Sequence, residues 1–319
     1  MSRSRTIAKH TLAIAIVGCV AYFFYRAARQ NWEDVRALDL TPDFLVLSAV
    51  GVLMFGALLL ATSGWQIAMN SLSSQRKLTF SESVAAVNVS SLTKYVPGKV
   101  WSYALQMHWL SGTGIPKSLI LYANLLNLGV SLAASTLVGL FCLAAAAGGT
   151  RRALLFAVFA AFAVTYAIGA KFYGRSLQWA AEWVSRRLKR QVNYFALPPE
   201  AIWWIHVVHL SAAVFWGASA YLICGGIGYP VSASQAALII GSTLIGDVLG
   251  FLAIVVPGGL GVREGVILWL LGGASFGPLA LILPIVSRVI SMVIEVGLGV
   301  VAFLLLRRLV RPSTPATTT

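Results

Sequence analysis

Seven ionisable side chains stand in otherwise apolar stretches of this chain: Lys94, Lys99, Asp247, Arg263, Glu264, Arg288 and Glu295. Lys94 and Lys99 bracket a Pro97-Gly98 break in TKYVPGKVW. Arg263 and Glu264 close a second break, VVPGGLGVREG, which holds Pro257, Gly258, Gly259 and Gly261. Arg288 and Glu295 are seven residues apart, two helical turns, and share one helix face. A charge at the centre of a bilayer costs about 2.5–3.5 kcal/mol on insertion scales, so such groups must pair, snorkel or face water. Mutual neutralisation is one reading, with Arg288 on Glu264, for example. It leaves one positive charge over, because four of the seven are basic and three acidic. The other reading is a polar cavity in which Lys and Arg hold the phosphate of an anionic head group. Asp247, Glu264 and Glu295 are then candidates for carrying a proton. Pro lacks an N–H and Gly loosens the backbone, so each break frees polar main-chain groups beside the charges. A helix N-terminus among them is an anion site.

Other chemistries find no support. There is no GxxxxGK[ST] phosphate loop, so an ATPase motor is not expected. His206 and His209 stand at i and i+3 without a nearby carboxylate or Cys, which reads as interfacial packing and not as a metal site. Cys19, Cys142 and Cys224 lie in apolar runs with no pairing pattern. No cofactor is expected. The formal charge of +14 fits anchoring beside anionic lipid, not nucleic acid.

The elements that position these residues follow from composition. Hydrophobic residues make up 58% of the chain and charged residues 11%, where a soluble domain has about 25% charged. The pattern predicts an all-α polytopic membrane protein. Full spans are expected at 7–25, 44–69, 118–147, 152–171, 201–224 and 280–306. The run after MSRSRTIAKH reads as a retained span and not a cleaved signal, being long for one and lacking a small-x-small site. Residues 80–110 and 232–272 each carry a Pro-Gly break and are expected as re-entrant helical hairpins. With the N-terminus inside, 15 Lys and Arg fall in inner loops against five outside (Arg26, Arg29, Arg36, Arg151, Arg152). That bias places the chain in the inner membrane with both termini cytoplasmic. Between the spans, residues 171–200 read as a basic amphipathic helix at the lipid surface, with Leu177, Ala181, Val184, Leu188 and Val192 on one face. Residues 1–311 form one membrane domain; 312–319 read as a disordered tail.

The two broken regions resemble one another. Ser81-Glu82-Ser83-Val84-Ala85-Ala86 leads to Pro97, and Ser232-Ala233-Ser234-Gln235-Ala236-Ala237 leads to Pro257. The repeat units are about 44–147 and 201–306. The span before the first break runs inward and the span before the second runs outward, so the units are expected to be inverted. Inverted repeats with broken helices are a recurring transporter plan.

On these residues the chain resembles the lysylphosphatidylglycerol synthase transmembrane-region family, also called flippase-like domain proteins. KYVPGKVW (Lys94 to Trp101) is similar to its Y-x-P-G-[KR] motif, and PGGLGVREG (Pro257 to Gly265) to P-G-G-x-G-x-x-E, with Glu264 at the acidic position. Ser287-Arg288-Val289 falls where relatives carry an aromatic-Arg pair, here without the aromatic. The resemblance implies movement of lipid head groups between leaflets. The lipid would be an anionic phospholipid, an aminoacylated or glycosylated lipid, or a polyprenyl phosphate. Lys94, Lys99, Arg263 and Arg288 would hold phosphate. Glu264 would orient Arg288 or a substrate amine, and Asp247 or Glu295 would couple a proton or an amine. The synthase activity of family members with a soluble domain is not expected. Two alternatives remain at this stage: an accessory subunit serving a lipid synthase or glycosyltransferase, and an intramembrane lipid-modifying enzyme.

Overall fold

The structure, a computed structural model, describes Arg29, Glu33 and residues 40–74, 76–91, 101–111, 114–188, 196–229, 231–253, 259, 261–272 and 276–309. These residues form ten α-helices, and no strand occurs among them. They are α1 (Phe44–Leu72), α2 (Phe80–Ser91), α3 (Trp101–Ser111), α4 (Lys117–Ala146), α5 (Gly149–Lys171), α6 (Tyr173–Leu188), α7 (Pro199–Gly226), α8 (Ala233–Leu252), α9 (Val262–Gly272) and α10 (Leu279–Leu309). Six are long and apolar enough to cross a bilayer: α1, α4, α5, α7, α8 and α10. Five of them coincide with expected spans. The expected span 7–25 and the tail 312–319 lie outside the described residues. The sixth is α8, which lies in the segment 232–272 expected as a re-entrant hairpin.

Local chemistry sets the helix starts. Asp43 caps α1, its Oδ1 accepting from the N–H groups of Leu45 and Val46 at 2.9 and 3.1 Å. At the other end Lys77 Nζ returns to the carbonyls of Asn70 and Ser73, groups a helix end leaves unpaired. Helices α2 and α8 both begin on a capping box. In the first, Glu82 accepts from Thr79 N while Thr79 Oγ1 accepts from Glu82 N; in the second, Ser232 and Gln235 exchange the same two bonds. The equivalence of caps pairs Thr79 with Ser232, a shift of two residues from the pairing of Ser81 with Ser232 read from the letters.

Glycines set the packing. Helices α1 and α7 run antiparallel. Gly226 meets Leu47, Gly56 meets Phe215 and Gly64 meets His209 and Val208, so one chain climbs as the other descends. Asp43 N donates to Gly226 O at 2.9 Å at one end of the pair. Helices α4 and α8 are likewise antiparallel, with Gly139 against Leu244 and Ile245 and Gly241 against Leu143. Small residues allow this approach where no hydrophobic effect drives helices together. Continued at the same register, the end of α8 at Leu252 reaches only the level of Leu132. That is roughly 20 Å short of the start of α4 at 1.5 Å per residue. Helices α8 and α9 fold back on each other: Gly246 packs on Ile267, Gly250 on Arg263 and Gly259 on Gly250.

The substantial packing pairs among eight of the helices obey an exchange rule. Swapping α1 with α7, α2 with α8, α3 with α9 and α4 with α10 maps α4–α8 onto α10–α2, α4–α7 onto α10–α1 and α1–α4 onto α7–α10. It also maps α1–α2–α3–α4 onto α7–α8–α9–α10, while α5 and α6 stand outside the rule. Two apolar cores follow from it. One joins Val50 and Met54 near the start of α1 to Ile223 near the end of α7, Ile239 of α8, Ile267 and Leu271 of α9 and Leu279 of α10. The other joins Trp65 and Met69 near the end of α1 to Ala201 and Ile205 near the start of α7, Ala86 of α2, Leu110 of α3 and Ile120 of α4. The α8–α9 pair and the α2–α3 pair therefore pack at opposite ends of the α1–α7 pair. Helix α6 falls within the segment expected to be amphipathic, and its Trp179 and Trp183 are exposed.

Candidate functional site

The second break is built for one chain path. Gly259 has φ +66°, and a Cβ there would come within 2.4 Å of Gly250 O, so both conformation and space require glycine. Gly261 has φ +83° and precedes α9. Its N–H donates to Glu264 Oε2 at 2.6 Å. Glu264 is thus the third helical residue reaching back to cap its own helix, one half of a capping box. The anion expected at this helix N-terminus is supplied by the protein itself.

The same carboxylate has a second partner, because Glu264 Oε1 lies 2.9 Å from Arg288 Nη1 on α10. Arg263, the preceding residue, pairs with α8: its Nε is 2.6 Å from Asp247 Oδ1. That contact is an ion pair without an aligned hydrogen bond, since Arg263 Nε–H meets no acceptor in hydrogen-bond geometry. Arg263 Nη2 donates to Ser287 Oγ at 3.1 Å, and Trp216 Nε1 donates to Asp247 Oδ2 at 2.7 Å. A continuous ladder therefore crosses Trp216 of α7, Asp247 of α8, Arg263 of α9 and Ser287 of α10, with the Glu264–Arg288 pair beside it. Arg263 and Glu264 are buried, whereas the side chains of Asp247 and Arg288 keep 24% and 17% of their surface accessible. The site is not sealed.

Glu295, buried on α10 two turns past Arg288, is in neither of these ion pairs. Lys94, Pro97, Gly98, Lys99, Pro257 and Gly258 lie outside the described residues. His206 and His209 each bond through Nδ1 to a carbonyl of their own helix, those of Ile202 and Ile205.

A ladder of uncharged groups crosses the other four helices. Asn88 Nδ2 of α2 donates to Thr62 Oγ1 of α1 at 3.3 Å. Gln106 Nε2 of α3 donates to Ser90 Oγ of α2 at 2.8 Å, and Asn124 Nδ2 of α4 donates to Gln106 Oε1 at 2.6 Å. All five side chains are buried. Under the exchange rule this neutral ladder occupies the helices that correspond to the ionic one. Sequence reasoning missed it, and missed Trp216, because uncharged polar residues in apolar runs raise no insertion alarm. The available signal was the carboxamides Asn88, Gln106 and Asn124, one on each of three successive helices.

A family model described as the lysylphosphatidylglycerol synthase TM region matches residues 11–299. The chain belongs to that family. No curated protein matches it as a relative. In this lysylphosphatidylglycerol synthase TM region, the PGGxGxxE stretch acquires a physical reading. Two left-handed glycines turn the chain against Gly250, and the Glu both caps α9 and receives the α10 arginine. The family assignment ties the fold to membrane lipid and leaves the chemistry of the site to its geometry.

Proposed function

We propose that this protein moves the head group of an anionic membrane lipid between the leaflets of the bacterial inner membrane, through a polar cavity shared by its two four-helix units. The observation that carries the reading is the exchange rule, joined to the antiparallel course of α1 and α7. Units related this way, with their hairpins packed at opposite ends of the central pair, are what two re-entrant hairpins entering from opposite faces require. The failure of α8 to reach the far end of α4 supports the same reading.

The ion pairs suggest how a charged head is accepted. An empty site with bare arginines would be prohibitive in low dielectric. Here each arginine rests on a carboxylate, and a lipid phosphate takes the place of that carboxylate on Arg263 or Arg288. Lys94 and Lys99 add positive charge from the first hairpin. The displaced Asp247 or Glu264 then meets a proton or a head-group amine, which favours an aminoacylated lipid, whose head carries an ammonium beside its phosphate, among the candidates. Glu295 is the third acid to which a coupling role is assigned in this reading.

The test is a proteoliposome assay with fluorescent phosphatidylglycerol in both leaflets and an impermeant reductant outside. The wild-type protein should bleach the inner-leaflet pool faster than protein-free vesicles do. Equal bleaching with correctly folded protein refutes translocation of this lipid class.

A further inference from the structure

We infer that a cleft between α4, α5 and α7, outside both ladders, holds one hydrocarbon chain of an anionic membrane lipid whose head group rests beside Lys171. The cleft is about 320 Å³, at the small end of ligand sites. Its walls are Leu125, Leu126 and Val130 of α4 and the small residues Gly129, Ala133, Gly169 and Ala170. At several helix contacts glycine is needed for close approach: Gly64, Gly217 and Gly241 each leave no room for a Cβ. Gly129 and Gly169 differ, since a Cβ at either meets nothing within 4 Å. They make space that no protein atom fills. Helix α5 contributes no buried residue, so it walls the cleft without closing it. Unfilled space forfeits dispersion contacts, and in a bilayer the material at hand to fill it is hydrocarbon.

Polarity changes along the cleft in the order of an amphiphile. The apolar walls extend to Ala133, sixteen residues into α4, about 24 Å from its start. Tyr173 and Lys171 mark the other end, where α5 meets α6. Tyr166, five residues before Lys171 on α5, faces the middle of the cleft with a shielded hydroxyl that has no partner, its ring held 4.9 Å from that of His206. Tyr173 bonds through its hydroxyl to that of Tyr122. Lys171, exposed, stands between the lining residues Ala170 and Tyr173 and supplies a charge complementary to phosphate. The unpaired hydroxyl and the cation select a lipid with an anionic oxygen-rich head.

The experiment uses the full chain in nanodiscs containing phosphatidylglycerol with a diazirine in the distal half of one acyl chain. Photolabelling should concentrate at Val130 and Ala133, at least fivefold above the exposed control Val293 of α10. Gly129→Leu and Gly169→Leu, which fill the space without a clash at Cβ, should each cut that labelling severalfold while leaving Val293 labelling and thermal stability unchanged. A diacylglycerol probe with the same chain should label the cleft severalfold less. Labelling no denser than at Val293, or insensitive to both substitutions, overturns the proposal. So does a disulfide between Gly169→Cys and a cysteine placed in residues 7–25, which would show that the chain's own segment fills the cleft.

Discussion

Glu264 performs two tasks with two oxygens, so its substitutions should separate by size. Oε2 caps α9 and Oε1 receives Arg288. Removing one partner of a buried ion pair costs about 3–5 kcal/mol, because the other charge is left unmet. With Arg288 keeping 17% of its side-chain surface accessible, the lower figure applies. Glu264→Gln keeps an oxygen for Gly261 N–H and should cost about 3 kcal/mol. Glu264→Ala loses the cap as well, adding about 1 kcal/mol. Arg288→Met should cost about 3 kcal/mol. The double variant Glu264→Gln/Arg288→Met buries no net charge, and replacing an ion pair by neutral groups is often nearly free. A coupling energy of at least about 2 kcal/mol is therefore expected, within the range for contacting residues. Reversible unfolding in mixed micelles measures it. Translocation in proteoliposomes should behave differently, staying lost in the double variant although its stability returns, because the arginine that receives phosphate is absent. Additive stabilities would refute the ion pair. A double variant that moves lipid at the wild-type rate would show the pair to be scaffold alone.

Three further outcomes follow from packing and hydrogen bonding. Gly259→Ala forces an L-residue into φ +66° and sets a Cβ 2.4 Å from Gly250 O; a loss of more than about 2 kcal/mol in the same unfolding assay is expected. Gly64→Ala drives a Cβ to 2.2 Å from His209 Cε1 and should cost about 1–3 kcal/mol, most of it recovered in Gly64→Ala/His209→Ala. Gln106→Leu removes both inter-helix bonds of the neutral ladder that Gln106 makes, to Ser90 and from Asn124, leaving those two with bonds to their own helices, and at about 0.5–1.5 kcal/mol per bond should cost about 1–3 kcal/mol; an unchanged midpoint would mean the ladder does not bind α2, α3 and α4 together.

Much of this architecture was legible in the chain because lipid imposes a simple rule of length and apolarity. The spans from 44, 118, 152, 201 and 280 reappear within a few residues. Charges in apolar runs were conspicuous for the same reason, and pairing Arg288 with Glu264 needed only the cost of leaving either alone. The length of α8 was not legible. VVPGG marks where a helix stops and says nothing of how far it has travelled. Asp247 could be noticed but not placed, because its partners Arg263 and Trp216 come from two other helices and only the α8–α9 fold-back brings them near. The proposed repeat was read from serine-rich text that aligns in several frames, and the capping boxes at Thr79 and Ser232 favour a frame two residues from the one read in the letters.

The doubling of opposite charges around α9 has an electrical consequence. Moving one elementary charge through 100 mV takes about 2.3 kcal/mol. Arg263 with Asp247 and Arg288 with Glu264 each sum to zero. Any tilt that carries these couples intact through the transmembrane field therefore does almost no work against it. On the translocation proposed above, the membrane voltage would then act on the lipid and on the remaining embedded charges, and these two couples would add nothing to its work.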